Sequence, residues 1–331
     1  MKIDQFCYTA LMQSDLMYDP EDDGSVSRKA TLSFGSKTVS VSAVTLQGSK
    51  DGKNKKPNED AFSIVSDNTR LFAAIFDGTS SQKPIDWLVG QTGARFASHF
   101  MKGQFEDLAP VLKPSQLLAK LNQHLFQEST SHQGVSTQDV HSLPATTATI
   151  AVLDHSSGTL HICHLGDTFC LVFYVDGSSK LLTIDKNERY DTRVFTMIAK
   201  IAKQKHITPR EARHDPRVDQ AVKAMFQNTH NAPDGSGQGI INGDPVAERY
   251  MQYETLPLGG ISAILLGSDG LMPPGLDEHT ATGQIQLLKI LKHGGLAALI
   301  KRKVAVENAD LDWKYIRYKH SDDATGIYIE L

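Results

Sequence analysis

The sequence predicts a mixed α/β (α+β) domain in which mostly antiparallel strands are flanked by helices. Three observations carry this. Two short apolar stretches, Leu71–Phe76 and the run within Gly260–Gly270, end abruptly in Asp-Gly, as strands buried on both faces do. Four strand-like segments, 146–153, 159–165, 168–175 and 180–184, follow one another across turns too short for parallel crossovers, which reads as an antiparallel meander. Around these blocks, apolar residues recur at helical spacing near 84–100, 115–127, 191–230 and 278–308.

Taken in order, residues 1–28 are mixed and include the acidic turn Asp19–Gly24. Ala30–Leu46, broken at Gly35-Ser36-Lys37, alternates apolar and polar residues and predicts a hairpin with one buried face. A lysine-rich loop, 48–57, leads through Asn58-Glu59-Asp60 into a strand at Ala61–Val65. Trp87, Leu88, Ala94, Phe96, Ala97 and Phe100 predict a helix from near Pro84. A second helix covers Ser115–Gln127 with Ser115 as N-cap, and 129–142 reads as loop. Thr208-Pro209-Arg210-Glu211 carries a capping box with proline at the first helical position. Pro233–Gly239 is a glycine-rich loop, and Ser321-Asp322-Asp323 precedes a last strand. No repeat or long linker divides the chain, so 1–331 reads as a single domain.

The composition excludes several functions. A net charge of −4 leaves no basic footprint for nucleic acid. No apolar run approaches membrane-spanning length and Met1–Gln5 does not open a signal peptide, so the expected location is cytoplasmic. Cys7, Cys163 and Cys170 do not make a disulfide framework. His155, His161 and His164 read as satisfied strand histidines, Trp87 and Trp313 as packing residues, and the basic stretch 200–205 as a solvated helix face. Ser262 and Ser268 have no partner in a nucleophile motif.

What remains is a set of acids at strand tips: Glu59 and Asp60, Asp77, Asp167, Asp269, and Asp322 with Asp323. By spacing alone two readings stand. The acids are separate turn residues, or they are one cluster whose mutual repulsion a hard divalent cation such as Mg2+ or Mn2+ offsets. The ordered segments Asn58-Glu59-Asp60-Ala61, Asp77-Gly78, Ala145-Thr146-Thr147-Ala148, Leu165-Gly166-Asp167-Thr168, Gly267-Ser268-Asp269-Gly270 and Asp322-Asp323-Ala324-Thr325 resemble the type 2C metal-dependent Ser/Thr protein phosphatase (PPM) family over about residues 40–331. Ile207–Arg217 resembles the active-site flap of its bacterial branch, within a flap-like insertion at about 186–255.

The resemblance implies a four-layer α-β-β-α sandwich of two mostly antiparallel sheets. It implies a phosphoserine/phosphothreonine phosphatase that hydrolyses phosphomonoesters by a metal-bridging hydroxide, with a phosphoprotein substrate and a Ser/Thr kinase system as partner. Asp77 would bridge two Mn2+ or Mg2+ ions and the Gly78 carbonyl would bind one of them, Asp269 and Asp322 would complete the second, Glu59 and Asp60 would hold bound waters, and Asp167 with Asp269 would hold a third, weaker ion. Two departures qualify it. Lys55 stands where the family carries a phosphate-gripping Arg, and Thr79 where many members carry an acid-catalytic His. Lysine lacks the bidentate fork, and without that His the rate should depend on leaving-group pKa. A phosphoprotein-binding pseudophosphatase and a small-molecule phosphatase are the alternative readings.

Overall fold

The computed structural model describes residues 9–10, 25–34, 37–52, 57–80, 85–132 and 142–331. Cys7, the acidic turn 19–24, the hairpin break at 35–36 and Pro84 lie outside them. Two sheets pack face to face. The first contains β1 (Thr9–Ala10), β4 (Ala61–Ser66), β5 (Arg70–Thr79), β6 (Ala145–Asp154), β7 (Thr159–Leu165) and β10 (Gln252–Pro257), paired as β1-β4-β5-β6-β7-β10. The second contains β2 (Ser25–Phe34), β3 (Lys37–Leu46), β8 (Phe169–Tyr174), β9 (Ser179–Leu181), β11 (Ile261–Gly267) and β12 (Ala324–Glu330), paired as β2-β3-β12-β11-β8-β9. Every pairing between these strands is antiparallel.

Three apolar layers follow from strand alternation. In β5, Leu71, Ala73 and Ile75 face the inter-sheet core with Val41, Ile64, Ile264 and Ile327. Phe72, Ala74 and Phe76 face outward onto Met101, Phe105, Leu118 and Leu125 of helices α1 (Gly93–Leu108) and α2 (Pro114–Ser131). The outer face of the second sheet, Leu171, Phe173, Leu265 and Tyr328, packs on Leu287, Leu291 and Leu299 of α6 (Ala281–Ala309), which kinks at Gly294-Gly295. The result is the expected four-layer α-β-β-α sandwich. Helices α3 (Glu188–Lys205), α4 (Pro209–Ala212) and α5 (Pro216–Thr229) form a fourth core around Val194, Ile198 and Val218, against which Ile316 and Tyr318 pack. Thr208 and Glu211 make the expected capping box. Among the described residues no helix is long and apolar enough to cross a membrane.

Four local expectations are corrected. The segments from 146 to 184 do not form one meander. β7 belongs to the first sheet and β8 to the second, so Gly166-Asp167-Thr168 crosses the sandwich instead of closing a hairpin. The first helix begins at Gly93 behind N-cap Thr92, because Gly90 takes φ +77° and interrupts the helical path from Trp87. The second starts one residue early, with Pro114 at its first position and Lys113 as N-cap, where proline's missing N–H and fixed φ cost nothing. It also runs to Ser131, into the expected loop. β10 is an edge strand paired with β7.

Candidate active site

Strand register alone gathers the acids at one edge. Asp60 precedes β4, whose first residue, Ala61, pairs with Phe76 just before Asp77. Asp77 pairs with Thr147, and Ala148 pairs with Leu165, two residues before Asp167. In the other sheet Gly267 pairs with both Phe169 and Gly326, which sets Asp269 beyond the end of β11 and Asp322 before the start of β12. Asp77 and Gly78 therefore extend a strand and do not form an Asp-Gly turn.

A cleft of about 700 Å³ opens here, lined by Glu59, Asp77, Gly78, Thr79, Asp167, Asp269, Asp322 and Asp323. Val222, Met225 and Phe226 of α5 line it too, together with Arg213, Trp313 and Tyr318, so the segment expected to form a flap borders the acids. Asp60 lies behind the cleft, buried, with its Oδ2 accepting from Ser268 Oγ at 2.8 Å. Lys55 falls outside the described residues.

The acids are held by dedicated donors. Asp323 Oδ1 accepts from the Gly48 N–H at 2.6 Å and its Oδ2 from the Glu59 N–H at 2.9 Å. Glu59 Oε1 accepts from Thr92 Oγ1 at 2.6 Å, so the N-cap of α1 also orients a cleft acid. Thr147 Oγ1 donates to Asp167 Oδ1 at 2.9 Å. Gly78 is a close approach: a Cβ there would stand 2.6 Å from the Glu59 carbonyl oxygen and 2.7 Å from that of Ala94.

Burial is the first cause that pushes these acids up. It takes Asp60 to about 8, helped by the charges of Asp323 and Asp322. It takes Asp269 to about 8, helped by Asp322 and Asp167, and Asp167 to about 7, helped by Asp185. Asp77 is raised well above the carboxylate range by burial and then by Asp60, Asp269 and Asp167. Such a set of buried, mutually repelling, all-oxygen donors fits a hard divalent cation. Among the described residues no thiol lines the cleft; Cys163 and Cys170 are buried, and burial raises both.

Several residues at the site were not singled out by sequence. Lys319 lines the cleft and ion-pairs with Asp322; its position three residues before the paired aspartates was the one local signal. Asp191 accepts from Tyr318 Oη at 2.7 Å and, like Asp185, is raised by burial to about 6. Lys303, 1% exposed, donates to Glu307, Ser321 Oγ and the Asp322 carbonyl. His164 lies in β7 with Nδ1 bonded to Thr149 Oγ1, but its buried Nε2 has no partner among the described residues, so the expected satisfied histidine is satisfied on one side only; Trp87 packs on Phe96 and His132. Trp313 is buried but also lines the cleft.

Among solved structures, a point variant of a bacterial serine phosphatase superposes with a TM-score of 0.50 at 15% identity, covering 88% of this chain and 97% of that one. RsbX in complex with magnesium gives 0.49 at 14% identity over 92% and 100%. The Mycobacterium tuberculosis serine/threonine phosphatase PstP/Ppp gives 0.47 at 18% over 88% and 98%. No curated protein sequence matches. The sequence profile described as Protein phosphatase 2C matches residues 47–288, most of the sandwich and all the cleft acids except Asp322 and Asp323. The chain belongs to the protein phosphatase 2C family.

Proposed function

We propose that this chain is a Mn2+- or Mg2+-dependent phosphatase acting on phosphoserine and phosphothreonine of proteins, the counterpart of a Ser/Thr kinase system. The observation that carries this is the convergence of buried oxygen donors from both sheets on one cleft. Asp77 with the Gly78 carbonyl, Asp269 and Asp322 would hold two divalent ions, and Asp167 with Asp269 a third. Bound ions there would activate water and neutralise charge on the phosphoryl oxygens. Glu59 and Asp60 are acceptors suited to orienting water, Glu59 on Thr92 and Asp60 on Ser268. The apolar residues Val222, Met225 and Phe226 give the cleft a surface for a polypeptide chain flanking the phosphorylated residue.

The test is Mn2+-dependent hydrolysis of an aryl phosphate by the wild type and by Asp77→Ala, followed by phosphopeptides against sugar and nucleotide phosphates. Activity no greater than that of Asp77→Ala in Mn2+ and in Mg2+ would sink the proposal. Preference for the small phosphates would replace the substrate class.

A further inference from the structure

The segment joining α6 to β12 is pinned on both sides of Lys319. Arg317 pairs with the Asp310 carboxylate at 2.6 Å and donates from Nε to the His320 carbonyl at 3.1 Å. Tyr318 Oη donates to Asp191 at 2.7 Å. The His320 N–H donates to the Lys50 carbonyl at 3.1 Å, and the Ser321 N–H to the Ser49 carbonyl at 2.9 Å. The backbone that carries Lys319 is thus fixed, and its side chain, 28% exposed, lines the cleft, pairs with Asp322 and interacts with the charges of Asp269 and Asp77. Among the described residues, the other cations lining the cleft are placed differently. Arg213 is paired with Asp219 at 2.7 Å, and Lys50 and His214 are exposed.

We propose that Lys319 is a phosphate-binding residue of the cleft, held on Asp322 in the metal-free protein and freed for a phosphoryl oxygen when a divalent cation takes that carboxylate. The inference rests on the metal-dependent reading above. A divalent ion competes with a monovalent ammonium for one carboxylate and wins on charge. The ammonium then loses its partner while remaining beside the cleft, and its flexible stem lets it turn to a new oxyanion. A phosphoryl dianion supplies that partner, as a charge-assisted hydrogen bond.

The experiment is calorimetric titration of the full chain with Mn2+, then of the Mn2+-loaded protein with inorganic phosphate, for wild type, K319Q and K319R. K319M, which keeps the apolar stem, repeats the test should K319Q melt early. Removing the ammonium is expected to tighten Mn2+ severalfold, because its competitor is gone, and to weaken phosphate by about tenfold, the worth of one hydrogen bond to a charged group. K319R keeps phosphate within about threefold. Unchanged phosphate affinity in K319Q or K319M overturns the proposal. So does weakened Mn2+ binding, which would make Lys319 a prop for Asp322. A wild-type chain that takes up no Mn2+ instead defeats the metal-dependent reading, and this inference with it.

Discussion

The buried pair Lys303–Glu307 on α6 links the helical layer to the acidic edge, and breaking it should be costly in a specific pattern. The side chains are 1% and 6% exposed, and Nζ reaches Glu307 Oε1 at 2.8 Å. The remaining two donors go to Ser321 Oγ at 2.7 Å and the Asp322 carbonyl at 3.2 Å, so the ammonium uses its full donor capacity. Lys303→Met leaves the Glu307 carboxylate buried and uncompensated, which costs about 3–5 kcal/mol. Glu307→Met strands the ammonium at a similar cost. The double variant removes both charges and costs only the Lys303 hydrogen bonds to Ser321 Oγ and to the Asp322 carbonyl, the latter still accepting from Ser321 Oγ at 3.3 Å, about 1–3 kcal/mol. The double variant is therefore expected to be more stable than either single one, with a coupling of several kcal/mol. Urea unfolding of the chelator-treated protein, followed by tryptophan fluorescence, measures it, since Trp313 is buried in the same connecting segment. Additive losses would refute the reasoning, because they would mean that each side chain acts through its own packing and not through the other's charge.

Two further outcomes follow from the cleft. Asp60 and Asp269 are raised to about 8 and Asp167 to about 7; an acid raised on folding keeps a proton that the unfolded chain releases, so the metal-free protein loses stability as pH climbs from the ordinary value of 3.8 through about 8. The rise in melting temperature on adding Mn2+ should accordingly be larger at pH 8 than at pH 5.5, and equal gains would contradict it. Gly78→Ala forces a Cβ to within 2.6 Å of the Glu59 carbonyl oxygen and should lower Mn2+ affinity by at least tenfold, whereas Gly259→Ala, with nothing within 4 Å, should leave it unchanged.

The parts of the fold that were legible in the sequence are those set by local patterning. The buried strands Leu71–Phe76 and Ile261–Gly267, the capping box at Thr208 and the placing of Asp77 and Asp269 at the ends of apolar runs all follow from local patterning. What was not legible depends on distant partners. Nothing within residues 159–175 says that β8 leaves its neighbour β7 to pair with β11; that choice is made by residues almost a hundred positions away. β10 shows alternating half-burial at a sheet edge, where a polar strand carries little hydrophobic signal. Two helix starts differ from the expected ones although local signals mark them: Thr92 two residues after a glycine, and Pro114 at a first turn. At the site, a carboxylate announces itself by standing at the end of an apolar run. Lys319 has no such frame, because its place is set by Arg317, Tyr318 and His320 binding elsewhere.

The site's geometry is that of the contact between the sheets. The first sheet delivers Glu59, Asp60 and Asp77, the second Asp269, Asp322 and Asp323, and Asp167 stands on the crossover between them. Hydrogen-bonded ties cross at this edge, among them the Glu59 N–H to Asp323 and Ser268 to Asp60. In these two, an acid of one sheet accepts from the other sheet's acidic segment, so carboxylates of the repelling cluster are also clasped through donors. Repulsion among Asp77, Asp269 and Asp322 pushes the halves apart, while these ties and the apolar layer of Ile75, Ile264 and Ile327 behind them hold the halves together. A cation in the cleft would relieve the repulsion. The cost of holding like charges at one edge thus falls on the inter-sheet core, far from the chemistry.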